Sequence, residues 1–596
     1  MNQTFMKEKP VFPLLLSMGI PMILSMMASS LYNIVDSIFV ARISENAMTA
    51  LSLVFPLQNL ITAIGVGFSI GTNSVIARLL GAGRTKEAGE AATQGLLLSL
   101  LHGILIWLLG WLAVSHFLHM FTDESQTLRF GLQYSMIVFC FSPVVTAGIS
   151  FEKLFQAVGR MVVSMACMLI GCIVNIILDP ILIFGLGPAP AMVVKIGVYG
   201  GTFNPPHLGH LAAARAAVGE LGLDKLILVP DAMPPHKELP KNTPAPEHRL
   251  AMTEKLADAL LMPERVQVSR LELDRGGRSY TSDTLAVLQA EHPGAELWLL
   301  MGTDMFLTLH LWHDPEEILK LAGVCAFGRS RKDGEEVFAP QREFLAKRFP
   351  GARLATLTLP GLVDISSTRL RTMLAQGEGA EYLLPSVWGH ILMNGLYQTR
   401  ADLKHLDIPQ LRACSDSMVL AKRVRHIRGT EEEAVRLAQR WGADQELARR
   451  AGILHDCTKY LTGEEHIALC ERYGVPLDEL ERSAPKLLHS KTGACMARYV
   501  FGEPDEVYNA IFWHTTAKAD MTVLEKILYV ADYMEPNRSF DGVERLRELA
   551  YQDLDRALLL GVETTVQEME DRQLPVHPNT LQARAWLREH GVTTDG

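Results

Sequence analysis

The chain has 596 residues, too many for one ordinary domain and enough for three or four. Its formal charge of −10 is unevenly placed: residues 1–190 carry 9 basic and 9 acidic side chains, and the other 406 carry 47 and 57. A neutral, apolar first third followed by a mildly acidic remainder argues against a broad nucleic-acid-binding face, which needs a basic surface, but leaves room for small phosphorylated ligands held by local donors.

Five apolar segments come first, centred in Val11–Val35, Leu51–Ala77, Ala91–Val114, Phe130–Ser150 and Met161–Leu186, each long enough to span a bilayer. Residues 91–122 contain no Asp, Glu, Lys or Arg. Two acids interrupt the pattern. Asp36 ends the first segment and Asp179 lies in the fifth, four residues after Asn175, so that the last two share a helix face. An acid inside a span usually marks an ion or substrate path. The N-terminus does not read as a cleavable signal.

The strings VDSIFVARI (35–43), GAGR (81–84), FQAVGR (155–160) and NIILDPILIFGLG (175–187) resemble the multidrug and toxin extrusion transporters. The resemblance implies a coupling-cation role for Asp36, Asn175 and Asp179. It also implies about twelve helices in two rocking lobes, so the five segments of residues 1–188 correspond to a truncated lobe and transport by this polypeptide alone is not expected. Lys7, Lys9, Arg78, Arg84, Lys86, Lys153 and Arg160 fall on one side of the spans, against Arg42 and Arg129 on the other, which puts the N-terminus in the cytoplasm. Five full crossings then deliver residue 195 outside. Either the fifth segment does not cross fully, or residues 1–191 are an aberrant join to a protein that starts near Met192.

At Lys195 the pattern becomes strand, turn, helix, strand: Lys195–Tyr199, the turn GGTFNPPHLGH (200–210), Ala212–Leu221 and Lys225–Pro230. This opens a β-α-β fold with a ligand crevice at the strand ends. Gly200 and Gly201 allow close backbone approach to a phosphate, and the following helix aims its N-terminal amides there. His207 and His210, three apart, can face one ligand. No Gly-x-Gly-x-x-Gly fingerprint and no phosphate-loop lysine is present. PPHK (234–237), ELDRGGRSYTSDTL (272–285), LLMGTDMFLTLHLW (299–312) and, after the strand-like Ala355–Leu359, ISSTRLR (365–371) follow in order. Trp312 offers a face for stacking a pyridine ring, Gly302 close backbone access, Asp304 an acceptor, and Ser366 or Ser367 a helix cap beside the Thr368 hydroxyl.

The eleven-residue turn resembles the His-x-Gly-His nucleotidyltransferases, and residues 195–397 resemble bacterial nicotinate-nucleotide adenylyltransferase. The resemblance implies a Rossmann-like α/β fold and transfer of the adenylyl group of ATP, with Mg2+, to nicotinate mononucleotide. It assigns catalysis to His207, His210 and Arg369 rather than Arg371. Nucleotide binding falls to Gly200, Gly201, Thr202, Phe203, Lys237, Thr281, Gly302, Asp304, Trp312, Ser366, Ser367 and Thr368. A pantetheine-phosphate-type adenylyltransferase is the sister alternative.

Beyond Pro385 and the polar run Thr399–Lys404, helical periodicity takes over: Met418–Trp441, Ala443–Leu454, Gly463–Tyr473, Leu487–Phe501, Asp505–Phe512, Thr522–Tyr533, Leu554–Met569 and Leu581–Glu589. Spread over these segments are His426, His455, Asp456, His489, His514 and Asp532, six ligands suited to two cations that share Asp456. Arg425 and Arg428 flank His426 and either draw in polyphosphate or face solvent.

Residues 402–590, with HTT at 514–516 and ADYMEP at 531–536, resemble the symmetrical diadenosine tetraphosphatases of the HD phosphohydrolases, an all-α bundle. The resemblance implies two divalent metals, iron by preference, with Asp456 and Lys459 catalytic. Water activated by the metals would cleave diadenosine tetraphosphate to two ADP. The eight cysteines form no Cys-x-x-Cys pair, and the five beyond residue 195 fit a reducing cytoplasm. The expected protein is thus a multidomain, bifunctional nucleotide enzyme, membrane-associated through its first third. A membrane antiporter carrying passenger domains and a scaffold with dead sites are the competing classes, and subunit number is left open.

Overall fold

Long apolar runs become long helices in the first third: α1 (Val11–Ala41), α2 (Glu45–Gly81), α3 (Thr85–His119), α4 (Ser125–Cys140), α5 (Ser142–Ala157) and α6 (Met161–Phe184). The computed structural model describes residues 10–41, 45–122, 124–184, 194–233, 239–328, 333–357, 359 and 365–594. These form two compact units that divide between Val193 and Val194. Lys237 and Met192 lie outside the described residues.

In the first unit, helices pack through small residues. Ala88, Gly95, Ser99, Gly103 and Gly110 lie along one buried stripe of α3. A Cβ added at Gly95 would come within 2.3 Å of Thr72, and one at Gly103 within 2.4 Å of the Pro143 backbone. Such close approach is how helices associate where apolar side chains gain nothing by leaving lipid. Among the described residues four helices are long and apolar enough to cross a membrane, or five if the bent pair α4–α5 is one span. The single fourth segment expected from sequence, Phe130–Ser150, falls across this bent pair. The axis turns by 50° at Phe141, just before Pro143, whose ring cannot continue the preceding ladder. Ser142 Oγ donates to the carbonyls of Phe139 and Gly103 there, at 2.7 and 2.9 Å. α1 packs along α6, and the Tyr32 hydroxyl is hydrogen-bonded to Asn175, on the stretch that carries Asp179.

The second unit opens with a six-stranded parallel sheet, β1 (Lys195–Gly201), β2 (Lys225–Pro230), β3 (Val266–Val268), β4 (Glu296–Gly302), β5 (Ala322–Phe327) and β6 (Leu354–Leu357), in the order β3-β2-β1-β4-β5-β6. Alternation feeds two cores: Ile196, Val198, Leu297 and Leu299 face one, and Tyr199, Leu226, Leu228 and Leu300 the other. Ile196 lies opposite Lys225 in β2 and Leu297 in β4. The winding reverses between β1 and β4, the switch point where open α/β sheets leave a crevice for ligand. Around it lie α7 (Leu208–Glu220), α8 (Pro246–Asp258), α9 (Thr281–Glu291), α10 (Ser367–Ala375) and α11 (Pro385–Met393). α7 starts four residues before the expected Ala212, because the His207 ring caps it by accepting from the Gly209 amide.

The remainder is helical, with α12 (Ile408–Met418), α13 (Ala421–Trp441), α14 (Gln445–Leu454), α15 (Leu488–Cys495), α16 (Asp505–Trp513), α17 (Val523–Met534), α18 (Val543–Gln552) and α19 (Leu554–Asp571) around a core that includes Leu437, Leu454, Ile511, Ile527 and Leu558. Sequence periodicity missed α12 and α18 and began α13 three residues early. Met418 instead closes α12, and Val419 is extended (φ −123°, ψ 165°).

Sheet region and helical region are joined by close contacts. Lys255 Nζ donates to the Ser417 carbonyl, and the Ala421 amide to Asp258 Oδ2, each at 2.5 Å. α11 lies so near α12 that a Cβ on Gly389 would fall 1.9 Å from the Ala413 carbonyl oxygen. Neither backbone can yield cheaply. Gly389→Ala is expected to lower stability by about 1–3 kcal/mol, read as a lower midpoint of urea unfolding than that of the unsubstituted chain.

Candidate functional sites

The first site sits at the switch point. A cavity of about 180 Å³ is lined by Gly200, Gly201 and Thr202 of the first turn, Glu272, Thr281 and Thr284 on one wall, and Gly302 and Trp312 on the other. The histidines follow directly. His210 Nδ1 accepts from the His207 amide at 3.1 Å, and His207 Nδ1 accepts from the Gly209 amide at 3.2 Å. An Nδ1 that accepts leaves the ring proton on Nε2, so both imidazoles are Nε2–H donors beside the N-terminus of α7. The rings stand 3.9 Å apart, centre to centre, with His210 braced by Phe203 at 5.2 Å.

The turn is held from behind. Arg249, 1% exposed, donates from Nη1 to the carbonyls of Thr202 and Asp231 at 3.0 and 2.6 Å, and from Nη2 to that of Ala232 at 3.2 Å. The Tyr397 hydroxyl donates to Asn204 Oδ1, and Arg371 Nη1 to the Asn204 carbonyl. Ser366 caps α10 by accepting from the Arg369 amide, whereas Ser367 Oγ donates to the Pro205 carbonyl. Arg371 therefore positions the turn, and Arg369 and Thr368 stand exposed on the next face of α10.

Several residues expected at the ligand are not part of this cavity's lining, among them His207, His210, Phe203, Asp304, Ser366, Ser367, Thr368 and Arg369. Phe203 has φ 42° and its ring is buried under the turn, edge-on to Tyr199. Asp304 is exposed in the first turn of the short helix Thr303–Thr308. Sequence reasoning missed Arg249, Tyr397 and Glu272.

Glu272 is buried and accepts from Thr284 Oγ1 at 2.8 Å. Burial raises its carboxyl from the ordinary 4.5 to about 7, with Asp231 adding to the rise and Thr284 opposing it. Because the native pKa lies above the unfolded one, the stabilisation from this group is complete below about 4.5 and is lost as the pH climbs through about 7. Glu272→Gln is expected to flatten that loss in unfolding midpoints measured across the window.

The second site lies in the helical region. His455 and Asp456 follow the last turn of α14, His426 is on α13, His489 on α15, His514 follows α16, and Asp532 is on α17. All six converge as two triads, His426–His455–Asp532 and Asp456–His489–His514, each with ligand atoms within 4.8 Å of one another. The His455, His489 and His514 rings hold Nδ1 at 2.7, 2.6 and 2.6 Å from the carbonyls of Gly452, Lys486 and Ile511. Nδ1 of each must be the donor, so Nε2 presents a lone pair to the centre. His426 holds Nδ1 at 3.1 Å from Glu535 Oε1.

The lone pairs face one another. His426 Nε2 stands 3.2 Å from His455 Nε2 and 2.9 Å from Asp532 Oδ1, and His489 Nε2 stands 3.2 Å from Asp456 Oδ1. Burial pushes His455 down to about 4 and His514 to about 3, so both are neutral. Burial opposes ionisation of Asp456 and Asp532, yet His489 and Lys459 beside the first, and His426 and Arg538 beside the second, hold both well below the ordinary carboxylate value. Asp456 Oδ1 is buried with no hydrogen-bond partner. Facing lone pairs on neutral imidazoles and ionised carboxylates fit divalent cations.

Cations of the protein rim this centre. Arg423 pairs with Asp456, Lys459 Nζ lies 2.9 Å from His489 Nε2, and Arg538 Nη2 lies 2.9 Å from Asp532 Oδ1. Of the two readings the sequence leaves open for the basic pair, exposure to solvent is the one Arg425 follows. Arg428 is taken up by Asp416 at 2.7 Å, and Arg425 is exposed. Arg423, one turn before His426, is the arginine that reaches inward.

Residues 21–181 match the MatE family, 198–373 the cytidylyltransferase-like family and 423–537 the HD domain. Over 176 residues the chain is 38% identical to the symmetrical bis(5′-nucleosyl)-tetraphosphatase of Bacillus subtilis, covering 29% of this chain and 94% of that protein. Over 205 residues it is 35% identical to a probable nicotinate-nucleotide adenylyltransferase of Lactiplantibacillus plantarum, covering 34% and 88%. Over 215 residues it is 37% identical to that of Pseudomonas syringae pv. tomato, covering 34% and 94%. A solved HD-superfamily hydrolase from Clostridium acetobutylicum is 38% identical, with a TM-score of 0.31 over 31% of this chain and 98% of its own.

Proposed function

We infer that the chain belongs to the nicotinate-nucleotide adenylyltransferases in its middle third and to the HD-domain hydrolases related to symmetrical bis(5′-nucleosyl)-tetraphosphatase in its last third, while its first third resembles the MatE family. From this premise we propose that residues 195–397 and 402–590 are two catalytic modules of one nucleotide enzyme.

The first would join ATP and nicotinate mononucleotide into nicotinate adenine dinucleotide. The observation that supports it most is the pairing of two Nε2–H donors with a cavity walled by Trp312 and Thr281. The mononucleotide phosphate is already an anion, so no strong base is needed. It attacks the α phosphorus in line, a new P–O bond forms, and the bond to the β-phosphate oxygen breaks. His207, His210 and the α7 amides donate to the phosphate oxygens as their charge grows. Magnesium, when bound with ATP, neutralises the departing pyrophosphate. Thr281 and the α9 amides suit a pyridine carboxylate against Trp312. Trp312→Ala is expected to raise KM for nicotinate mononucleotide about tenfold, as loss of one stacking face does, with little change in KM for ATP. Equal efficiency with pantetheine phosphate would overturn the nicotinate reading.

The second module would hydrolyse diadenosine tetraphosphate to two ADP. Its support is the set of imidazoles whose Nδ1 atoms are tied down while their Nε2 atoms meet two carboxylates. His426, His455, Asp456, His489, His514 and Asp532 would hold two divalent ions, iron by family likeness. Such ions supply an acidified water and charge neutralisation. Arg423, Lys459 and Arg538 take the phosphate oxygens.

The apolar helices and the MatE match mark the first unit as membrane-associated.

A further inference from the structure

Beside the histidine–aspartate centre lies a cavity of about 880 Å³ that shares Arg538 with that centre. One wall is Tyr533 and the segment Arg538–Asp541 that follows α17; the other is the second half of α19, from Glu563 to Asp571. We propose that this cavity is a nucleoside subsite, which takes one base and ribose of a nucleoside polyphosphate while the phosphates reach the metal ligands. The proposal rests on the dinucleotide-hydrolase reading and adds the place where the substrate's nucleoside is held.

The connection between cavity and centre is Arg538. Its guanidinium lines the cavity and also donates from Nε to the Asp532 carbonyl at 3.0 Å and from Nη2 to Asp532 Oδ1 at 2.9 Å. A phosphate bound to the cations at Asp532 therefore has Arg538 beside it, and the rest of the nucleotide extends past Arg538 into the cavity. The aromatic residues there are fixed. Phe540 stands edge-on to Tyr533, centres 5.8 Å apart at 89°, and the Tyr533 hydroxyl is hydrogen-bonded to Thr565 at 2.7 Å. Held rings give a base a face or edge to pack on without new ordering.

Charge tells which part of a nucleotide fits. Asp541, Glu563, Glu568 and Asp571 outnumber Arg538 and Arg572 in the lining. Carboxylates repel a phosphate chain, but they accept hydrogen bonds from an exocyclic amine and from ribose hydroxyls. Arginine toward the metal ligands, aromatic rings and acids form the complement of phosphate, base and sugar.

The test is photolabelling of the manganese-loaded full chain with 8-azidoadenosine 5′-diphosphate, mapped by peptide mass spectrometry so that label in the Trp312 crevice is counted separately. Label is expected on the peptide that carries Tyr533 and Phe540, and it should fall about tenfold in Phe540→Ala. Glu568→Gln, an exposed position that leaves the core intact, should lower it as well. Label confined to other peptides, or unchanged in both variants, overturns the subsite. Label that diadenosine tetraphosphate neither displaces nor is cleaved alongside keeps the subsite and removes the dinucleotide as its occupant.

Discussion

His210→Ala is expected to lower the turnover of nicotinate adenine dinucleotide synthesis about a hundred- to a thousand-fold, the loss seen when one preorganised donor to a developing oxyanion is removed. The expectation comes from the tautomer. His210 Nδ1 accepts from the His207 amide, so Nε2 carries the hydrogen and points its donor capacity away from the backbone. Alanine removes that donor and also the Nδ1 partner of the His207 amide, a capping loss of about 1 kcal/mol. The fold should survive it, because Arg249, Arg371 and Tyr397 hold the turn independently. Turnover within tenfold of the unsubstituted chain, at an unfolding midpoint nearly unchanged, would sink the donor role.

Asp456→Asn should abolish the hydrolase with a loss of about a thousand-fold or more, equivalent to about 4 kcal/mol of transition-state stabilisation. Asp456 is the residue that reaches both triads: Oδ2 stands 3.7 Å from His426 Nε2 and 3.6 Å from His455 Nε2, while Oδ1 stands 3.2 Å from His489 Nε2. The amide keeps the shape of a fully buried side chain but removes the charge that two cations would share. Metal content after dialysis should drop by at least one ion per chain, a readout independent of turnover. Unchanged metal content together with turnover within tenfold would contradict the bridging role. Chelation of the unsubstituted chain should remove the same activity, while adenylyl transfer returns on adding magnesium.

How much of this was legible in the sequence follows from how far apart the partners lie. His207 and His210 sit three apart in one contiguous string, GGTFNPPHLGH, so their spacing and the family resemblance of that string pointed to them together. The six candidate metal ligands stood out as an ordered set of histidines and aspartates spread over helix-like segments. Residues that act through distant contacts left no such trace. Tyr397 and Asn204 are 193 positions apart, and Arg249 holds the turn from a different helix. Arg423 was readable in principle, three residues before His426, but Arg425 and Arg428 masked it. Only the packing of α12, which brings Asp416 to Arg428, tells them apart. Phe203 and Asp304 belong to motifs around the cavity, and membership of a motif did not make their side chains part of its lining. The break at Phe141 was likewise hidden, since apolar composition runs unbroken through a 50° bend.

The central claim is that one polypeptide carries two separate sites for phosphate chemistry. Chromatography of the products made by the purified full chain tests it most directly, in one reaction with ATP, nicotinate mononucleotide and magnesium and in another with diadenosine tetraphosphate and manganese or iron. Equal amounts of nicotinate adenine dinucleotide and pyrophosphate are expected in the first, and ADP as sole nucleotide product in the second. No dinucleotide in the first, or an intact tetraphosphate or a split into ATP and AMP in the second, would contradict it.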